Sequence, residues 1–571
     1  MRILAIHDGH NAAAAAIKDG TVTFAVQEER LGRPKNFIGW PGRAIEATLR
    51  HQSWGAADIE LAVLTSRYSS PPMLSGDVLA RYSWQGSPVA VVGRLVTGVR
   101  PIQQMRERRS LARRRAILSG MGIAPERVFA VDHHEAHAAS AYYGLRRDDD
   151  RYLVLTLDGG GDWRCGTVWV GEGGRLHFVT ETPYGHSIGD IYSRVTFLMG
   201  FTPWEHEYKL MGMAPYASER YSRLVKDILI GYLDLDPSQP MRFRRKVFEP
   251  TNHLVPRMER DLRRQRFDNI AGGVQMYTEE LMVRWVRACV AATGVRRVLV
   301  AGGVFMNIKA NKLIASLPEV DSLEAFPSCG DETNVFGGGW LACQRVGDKP
   351  SGIRDFYTGP AFDDAAIDTA LRRETAQGGL MVRRFDDVAV QTARWLAAGH
   401  IVARASGRME FGARALGNRS ILADPSRQSV VPVINASIKS RDFWMPFAPI
   451  ALADKAGRYI HNPKSLRSPY MMMGFDTTDL STEFVAGIHP SDKSARMQLL
   501  ERGQNADLER VLDAFESITG RGVLLNTSFN LHGSPIVCTP DEALTVFRGS
   551  GLTHLVMGNF GITKVEAGGA D

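Results

Sequence analysis

One piece of chain grammar occurs twice in this sequence, and it limits the folds available more than any other feature. An apolar stretch at 2–6 runs into Asp8-Gly9-His10-Asn11, a second apolar stretch spans 12–17, Asp19-Gly20 turns the chain, and a third stretch covers 22–26. The same order returns at 152–157, followed by Asp158-Gly159-Gly160-Gly161, an apolar stretch at 166–170 and a further turn at 171–174. Apolar runs separated by glycine turns read as paired strands, and helical sequence follows each set. Two such sets in one chain predict a duplicated α/β unit.

That duplication is the arrangement of the actin-like and sugar-kinase-like phosphotransfer fold, in which glycine turns from both halves face a nucleotide's phosphates. Glycine suits the task because backbone N–H groups can approach an anion without a Cβ in the way. A lone Asp-Gly-Gly-Gly is also ordinary hairpin chemistry, so the pairing carries the reading. A third element supports it: the apolar run 298–304 passes through Gly302-Gly303 towards Asn307. The segment SCGDETNVFGGG then places Asp331 in a loop, with Asn334 and Gly337–Gly339 opening a helix. Gly, Pro and charge dominate from about Gln344 to Pro360, a linker composition. The expected division is therefore 1–345, a linker at 346–360, and 361–571.

The stretch HHEAHAASAYY (133–143) follows the short apolar run 128–131 and is rich in alanine, so it should be helical. On a helix His133 and His137 lie one above the other on the same face, able to aim two ring nitrogens at one point. A lone pair so spaced is often a core or capping feature. Three histidines in five residues, with Asp132 and Glu135 alongside and Asp158 in the next glycine-rich turn, favour a metal site.

The chain beyond 360 carries two polar blocks instead of Asp-Gly turns. The first is SGRMEFGARALGNRS (406–420), followed by Asn435, Lys439, Arg441 and the aromatic stretch 444–449; the second is LLNTSFNLHGSPIV (524–537). Arg408, Arg414, Arg419, Lys439 and Arg441 crowd one stretch beside Phe411, Phe443 and Trp444. Arginine's planar fork suits phosphate or carboxylate oxygens. Asn526, Thr527, Ser528 and Asn530 add neutral polar groups at the end of an apolar strand, where ligands bind in α/β folds. These residues are read as an anion site.

Composition bounds the partners. At 571 residues the chain exceeds one ordinary core, and roughly three or four domains or subdomains are expected. Apolar runs break well short of the ~18–20 residues of a membrane span. Asp8 and His10 stand where a signal peptide would continue its apolar core, so no export is read. Five scattered cysteines without a CxxC exclude a zinc ribbon and fit the reducing cytoplasm. The net charge of +7 is a mild excess, concentrated in the arginine clusters 106–115 and 257–266. Neither cluster is interleaved with aromatic residues that could stack on bases, so nucleic acid is not an expected partner.

HHEAHAASAYY, His10-Asn11 with QEER (27–30), KLMGMAPY (209–216), AGGVFMN, GARALGNRS and LNTSFNLHG together resemble the O-carbamoyltransferases of antibiotic and nodulation-factor biosynthesis. The motifs stand in the family's order over nearly the whole chain. The resemblance implies an N-terminal domain similar to the tRNA threonylcarbamoyltransferase and a C-terminal α/β domain similar to the threonylcarbamoyl-adenylate synthase. It implies that carbamoyl phosphate and ATP, with Mg, give carbamoyl adenylate, and that the carbamoyl group then passes to a hydroxyl of a small-molecule natural product. By position it makes His133, His137, Asp158 and Asp331 ligands of a divalent transition metal, with Fe(II) the expected ion; the residue types alone also admit Mn or Zn. It makes His10 the candidate general base and sets Lys35 and Lys209 near the reacting phosphates. Gly302, Gly303, Asn307, Arg408, Arg414, Arg419, Lys439, Arg441, Asn526 and Ser528 fall on the nucleotide and carbamoyl-phosphate site. Leu531, His532 and Ser534 stand where relatives often carry a charged pair. The segment from about Ser69 to Arg115 has no counterpart in the resemblance and is expected to shape the acceptor pocket.

Three other readings compete. A hydrogenase-maturation carbamoyltransferase would add an acylphosphatase-like domain and CxxC zinc motifs. A sugar kinase of the same fold would leave HxxxH and the second polar block unexplained. A non-catalytic nucleotide-binding scaffold would bind ATP without releasing phosphate or pyrophosphate. The sequence names no acceptor, and it allows a homodimer without specifying one.

Overall fold

The computed structural model describes every residue except Arg33, Pro71, Leu74, Gly86, 88–98 and 566–571. Part of the segment read as shaping the acceptor pocket (71, 74, 86 and 88–98) thus lies outside the described residues. Residues 1–29 and 36–353 form one compact unit, and residues 30–35 with 354–571 form another. No helix among the described residues is long and apolar enough to cross a membrane.

The first unit contains two five-stranded sheets with one plan. Strands β1 (Arg2–His7), β2 (Ala13–Lys18) and β3 (Thr21–Gln27) form an antiparallel meander. Strands β4 (Leu61–Leu64) and β5 (Val128–Ala130) then add parallel beside β1, giving the order β3-β2-β1-β4-β5. The second sheet repeats this with the meander β6 (Tyr152–Gly161), β7 (Arg164–Glu172) and β8 (Arg175–Pro183), and with β9 (Arg297–Ala301) and β10 (Ser322–Ala325) parallel beside β6. Its order, β8-β7-β6-β9-β10, is the first sheet's order again. The fold is α/β, and its first unit is the duplicated actin-like, sugar-kinase-like domain.

Small residues let helices approach these sheets closely. Five helices of this unit are α1 (Gly42–Gln52), α2 (Arg100–Gly120), α3 (His133–Leu145), α4 (Ile188–Leu198) and α5 (Phe267–Thr293). A sixth, α6 (Asn334–Arg345), packs on α3 and on the first sheet. A Cβ on Gly337 would fall 1.9 Å from the Ala136 carbonyl oxygen, and one on Gly339 would fall 2.4 Å from Ile17 Cδ1. Gly337–Gly339 therefore serve helix packing. The alanines of β2 are small for the same reason, and all are buried.

The Asp-Gly-Gly-Gly segment departs from the expected turn. β6 runs through it to Gly161 with a register shift after Leu157, and the chain reverses at Asp162-Trp163, both at positive φ (46° and 72°). A bulge in place of a turn follows from crowding. A Cβ on Gly160 would meet the Tyr184 ring at 2.0 Å, and one on Gly161 would meet the His133 ring at 2.3 Å.

The second unit is built on one mixed eight-stranded sheet. Its strands are β11 (Leu380–Arg384), β12 (Val402–Ala405), β13 (Arg419–Ala423), β14 (Ala448–Leu452), β15 (Gln498–Leu500), β16 (Val523–Ser528), β17 (His554–Met557) and β18 (Phe560–Lys564). They lie in the order β11-β18-β17-β12-β13-β16-β14-β15. Successive residues feed opposite apolar layers: Ala403, Ile421 and Leu525 one, Val402, Leu422 and Leu524 the other. Both faces are covered, which is why these strands read as unbroken apolar runs. The stretch 346–360 carries no helix or strand, yet it is pinned: Ile353 N–H donates to the Gly144 carbonyl (3.2 Å) and Gly359 N–H to that of Met409 (2.9 Å). Residues 30–35, expected to belong with 1–345, group with the second unit because Arg30 Nη2 donates to the Gly412 carbonyl (2.7 Å).

Candidate active site

Helix α3 starts where two carboxylates hold its first turn. Asp132 caps it, Oδ1 accepting from His134 N–H (3.0 Å) and Glu135 N–H (3.2 Å), and Asp162 Oδ2 accepts from His133 N–H (2.8 Å). His133 and His137 then face one point from successive turns. His133 Nε2 lies 3.3 Å from Asp158 Oδ2 and 3.5 Å from Asp331 Oδ1, and His137 Nε2 lies 3.4 Å from each. All four ligand atoms fall within 4.8 Å of one another. The bulge that begins at Asp158 is fixed by Ser187, the cap of α4, whose Oγ donates to the Asp158 carbonyl (3.1 Å). Asp331 follows two consecutive non-glycine residues at positive φ, Ser328 (70°) and Cys329 (52°), backbone strain of the kind stored at functional sites.

These four side chains fit a metal ion. Their four N···O spacings of 3.3–3.5 Å suit donors that share one ion at the ~2.1 Å length of metal–imidazole and metal–carboxylate bonds. His137 is buried, and among the described residues its Nε2 faces only the two carboxylates at 3.4 Å, without a hydrogen bond of good geometry, an arrangement a ligated nitrogen would explain. Electrostatics agree. Burial opposes charge on His133, but the Asp331 and Asp158 carboxylates outweigh it and raise its pKa to about 10. Asp158 is likewise held well below the usual carboxylate range by the two imidazoles, against burial. The cluster therefore favours a bound cation.

The third histidine of the motif does something else. His134 Nδ1 bonds Thr156 Oγ1 (2.8 Å) behind the cluster, and burial with the two neighbouring imidazoles keeps its pKa well below the ordinary value. His10 sits in the turn after β1 with its ring 5.6 Å from that of Trp204. Burial lowers its pKa against the pull of the Asp331 and Asp158 carboxylates, so the ring is neutral at neutral pH and can accept a proton. Trp204 itself is held at φ 66° with its N–H on Glu207 Oε1 (2.8 Å).

The expected phosphate-binding positions of this unit divide. Gly303 adjoins the cluster, since a Cβ there would lie 3.2 Å from Asp158 Oδ1. Gly302 (φ 99°) lets the chain pass within reach of the Leu157 carbonyl, which a Cβ would meet at 2.4 Å. Asn307 is engaged in the fold: its amide exchanges two hydrogen bonds with Gln275 (2.9 and 3.0 Å), and its Oδ1 caps the helix 308–315. Lys209, in the helix 207–213, has Nζ 5.1 Å from the centre of the Phe201 ring.

The second unit gathers cations at the end of β16. Lys439 is buried at the end of a π-helical turn, and its Nζ donates to Ser528 Oγ (3.0 Å) and Asn530 Oδ1 (2.7 Å). Arg441 Nη2 donates to Thr527 Oγ1 (3.0 Å). Burial, then the charges of Arg441 and Lys35, push the Lys439 pKa well down. Lys35, expected near the reacting phosphates, thus acts electrostatically on Lys439, in the unit to which residues 30–35 belong. Other expected ligands are committed elsewhere. Arg419 donates to the carbonyls of Cys538, Ser406, Gly407 and Asn418 (3.0–3.2 Å), and Arg408 to those of Thr358 and Gly359. Asn526 Nδ2 bonds Gln498 Oε1 (2.8 Å). Arg414 is half-buried in the loop 406–418. Glu410 organises that loop, its Oε1 accepting from the N–H groups of Leu416, Asn418 and Arg419.

Three residues escaped the sequence reading. His7 is buried with its ring 6.2 Å from that of His133 and its Nδ1 on Thr65 Oγ1 (2.9 Å); burial lowers its pKa to about 3. It lies three residues before His10, a signal hidden because strand residues alternate faces and give no helical spacing. Asp162 and Glu410 act through backbone N–H groups, which leave no side-chain pattern in a sequence.

Two family models match the chain: that of the carbamoyltransferase N-terminus over residues 2–339 and that of the carbamoyltransferase C-terminus over residues 393–564. The chain is 30% identical to the nodulation protein NolNO of Sinorhizobium fredii, across 98% of this chain and 80% of that protein. It is 29% identical to the 3'-hydroxymethylcephem-O-carbamoyltransferase of Amycolatopsis lactamdurans, across 47% of this chain and 49% of that one. Among solved structures, a ROK hexokinase from Thermus thermophilus aligns at 14% identity with 61% of this chain and 100% of its own, with a TM-score of 0.29.

Proposed function

We propose, for a chain that belongs to the carbamoyltransferase family, that it makes carbamoyl adenylate from carbamoyl phosphate and ATP in its second unit and moves the carbamoyl group to a hydroxyl of a small-molecule natural product in its first. The observation that carries the reading is the His133, His137, Asp158 and Asp331 cluster, with the neutral His10 ring within reach of the charge of both aspartates.

The chemistry balances with one water. Carbamoyl phosphate, ATP and water give carbamoyl adenylate, phosphate and pyrophosphate, one oxygen bridging the carbamoyl carbon and the α-phosphorus. Anionic reactants must meet, and Lys439 and Arg441 with Lys35 supply the opposing charge, pre-arranged by Ser528, Asn530 and Thr527. Arg408, Arg419 and Asn526 act one step back, holding the loops that form this site.

In the first unit His133, His137, Asp158 and Asp331 would hold the ion, Fe(II), Mn or Zn, which when bound supplies Lewis-acid charge for an adenylate phosphate. His10 takes the proton of the acceptor hydroxyl as its oxygen attacks the carbamoyl carbon and the bond to AMP breaks, a step worth about 10²–10⁴ in rate. Trp204, against the imidazole, limits its rotation and excludes water on that side.

Pyrophosphate release tests the first half directly. Wild-type protein should release pyrophosphate from ATP only when carbamoyl phosphate is present, and Lys439→Ala should not. ATP binding with no such release, in wild type, would turn the reading towards a nucleotide-binding scaffold.

A further inference from the structure

Helix α2 is basic and largely exposed, yet Arg114 on its inner face is only 1% exposed. Its guanidinium is fully directed. Nη1 bonds Asp8 Oδ1 (3.2 Å) and the Ser66 carbonyl (2.8 Å), Nη2 the Arg67 carbonyl (2.7 Å), and Nε the Ser110 carbonyl (3.3 Å). A buried ion pair adds little to stability over an apolar pair of the same shape, because both charges leave water. Its value lies in what it orients, and here both ends lead to the site.

Asp8, itself buried, is the residue from which the turn to His10 departs. The other end leads to helix α3. Ser66 Oγ donates to Asp162 Oδ1 (3.0 Å) and Arg67 N–H to Asp162 Oδ2 (2.9 Å), and Asp162 accepts the N–H of His133. Arg114 is thus one hydrogen bond from the segment carrying His10 and three hydrogen bonds, through Ser66 or Arg67 and then Asp162, from the start of the helix carrying His133 and His137. A planar fork can hold several acceptors in fixed directions at once, which a lysine cannot.

We propose that Arg114 is a positioning residue, which from helix α2 fixes the His10 turn and the first turn of α3 relative to each other so that base and metal ligands address one site. The role of His10 as base rests on the carbamoyl-transfer reading; the linkage itself does not. It gives helix α2 a task in a segment for which the resemblance supplies no counterpart.

The test compares Arg114→Met and Arg114→Lys with Arg113→Met, a change at the exposed neighbour. Two readouts need neither donor nor acceptor: amide hydrogen exchange at residues 8–11 and 133–137, and the affinity and visible spectrum of bound cobalt(II). Arg114→Met should speed exchange at both segments at least tenfold and weaken cobalt at least tenfold with an altered spectrum, while Arg113→Met changes neither. Arg114→Lys keeps the charge opposite Asp8 but loses the carbonyls of Ser66 and Arg67, so it should restore protection at 8–11 and leave 133–137 fast. Wild-type exchange at 133–137 with wild-type cobalt binding in Arg114→Met would overturn the proposal. If that variant does not fold, the same result in Arg114→Lys overturns it.

Discussion

Replacing His137 by alanine isolates the metal cluster, because two of its four N···O spacings, both 3.4 Å, belong to that imidazole. Three ligands remain, and the third histidine of the helix is no substitute: His134 is turned away onto Thr156. Changes one shell further out cost about 10–100-fold in metal affinity, so losing a ligand should cost at least about 100-fold, or about 2.7 kcal/mol. At a free metal concentration of ~100 times the wild-type Kd, binding stabilises wild type by ~2.7 kcal/mol and the variant by only ~0.4 kcal/mol. Calorimetry with and without Fe(II), under anaerobic conditions, reads this as a shift in the transition of the first unit. The difference of ~2.3 kcal/mol corresponds to at least ~4 °C at the size of a large domain. Comparing metal-induced shifts removes the cost of the cavity left by alanine, which is present in both scans. The transition of the second unit should not move. Equal metal-induced shifts in wild type and His137→Ala would refute the assignment of these ligands.

Further outcomes follow from the same geometry. Lys439→Met should abolish carbamoyl-phosphate-dependent pyrophosphate release while raising the stability of the second unit at neutral pH by ~0.5–2 kcal/mol, since a buried ammonium beside two cations is held there at a cost; a fall in its melting temperature would contradict this. Arg419→Ala should destabilise the second unit by at least ~3 kcal/mol in chemical denaturation, because it strands buried carbonyls; an unchanged midpoint would contradict it. His10→Asn should retain metal and pyrophosphate release but lose transfer. In wild type, transfer should hold steady as pH falls through ~6.5 and decline only below it, because burial lowers the pKa of His10 and the neutral ring is the active form; a decline beginning above pH 7 would point to another base.

The sequence made the first unit's architecture legible because strand and turn signals are local. The repeated meander needed only short apolar runs and glycines, and both sheets follow it. The Asp-Gly-Gly-Gly segment reads as a turn in sequence because glycine permits turn and bulge alike; the Tyr184 and His133 rings that decide between them come from elsewhere in the chain. The spacing of His133 and His137 was visible as a helical repeat. Asp331, far along the chain, has no spacing relation to them and entered only through the resemblance. The cation block was the least legible part. Arg408 and Arg419 look like Lys439 and Arg441 in sequence, but carbonyl partners in separate loops have claimed them. No local pattern distinguishes an arginine that clamps a loop from one proposed to meet a phosphate.

The central claim is tested most directly by following a 13C-labelled carbamoyl group. Wild-type protein, loaded with metal and given labelled carbamoyl phosphate, ATP and a mixture of hydroxylated small molecules, should place the label in an O-carbamoyl product with one AMP formed per carbamate ester. Label appearing in the product without AMP, or AMP accumulating with no labelled ester from any hydroxylated acceptor, would contradict it.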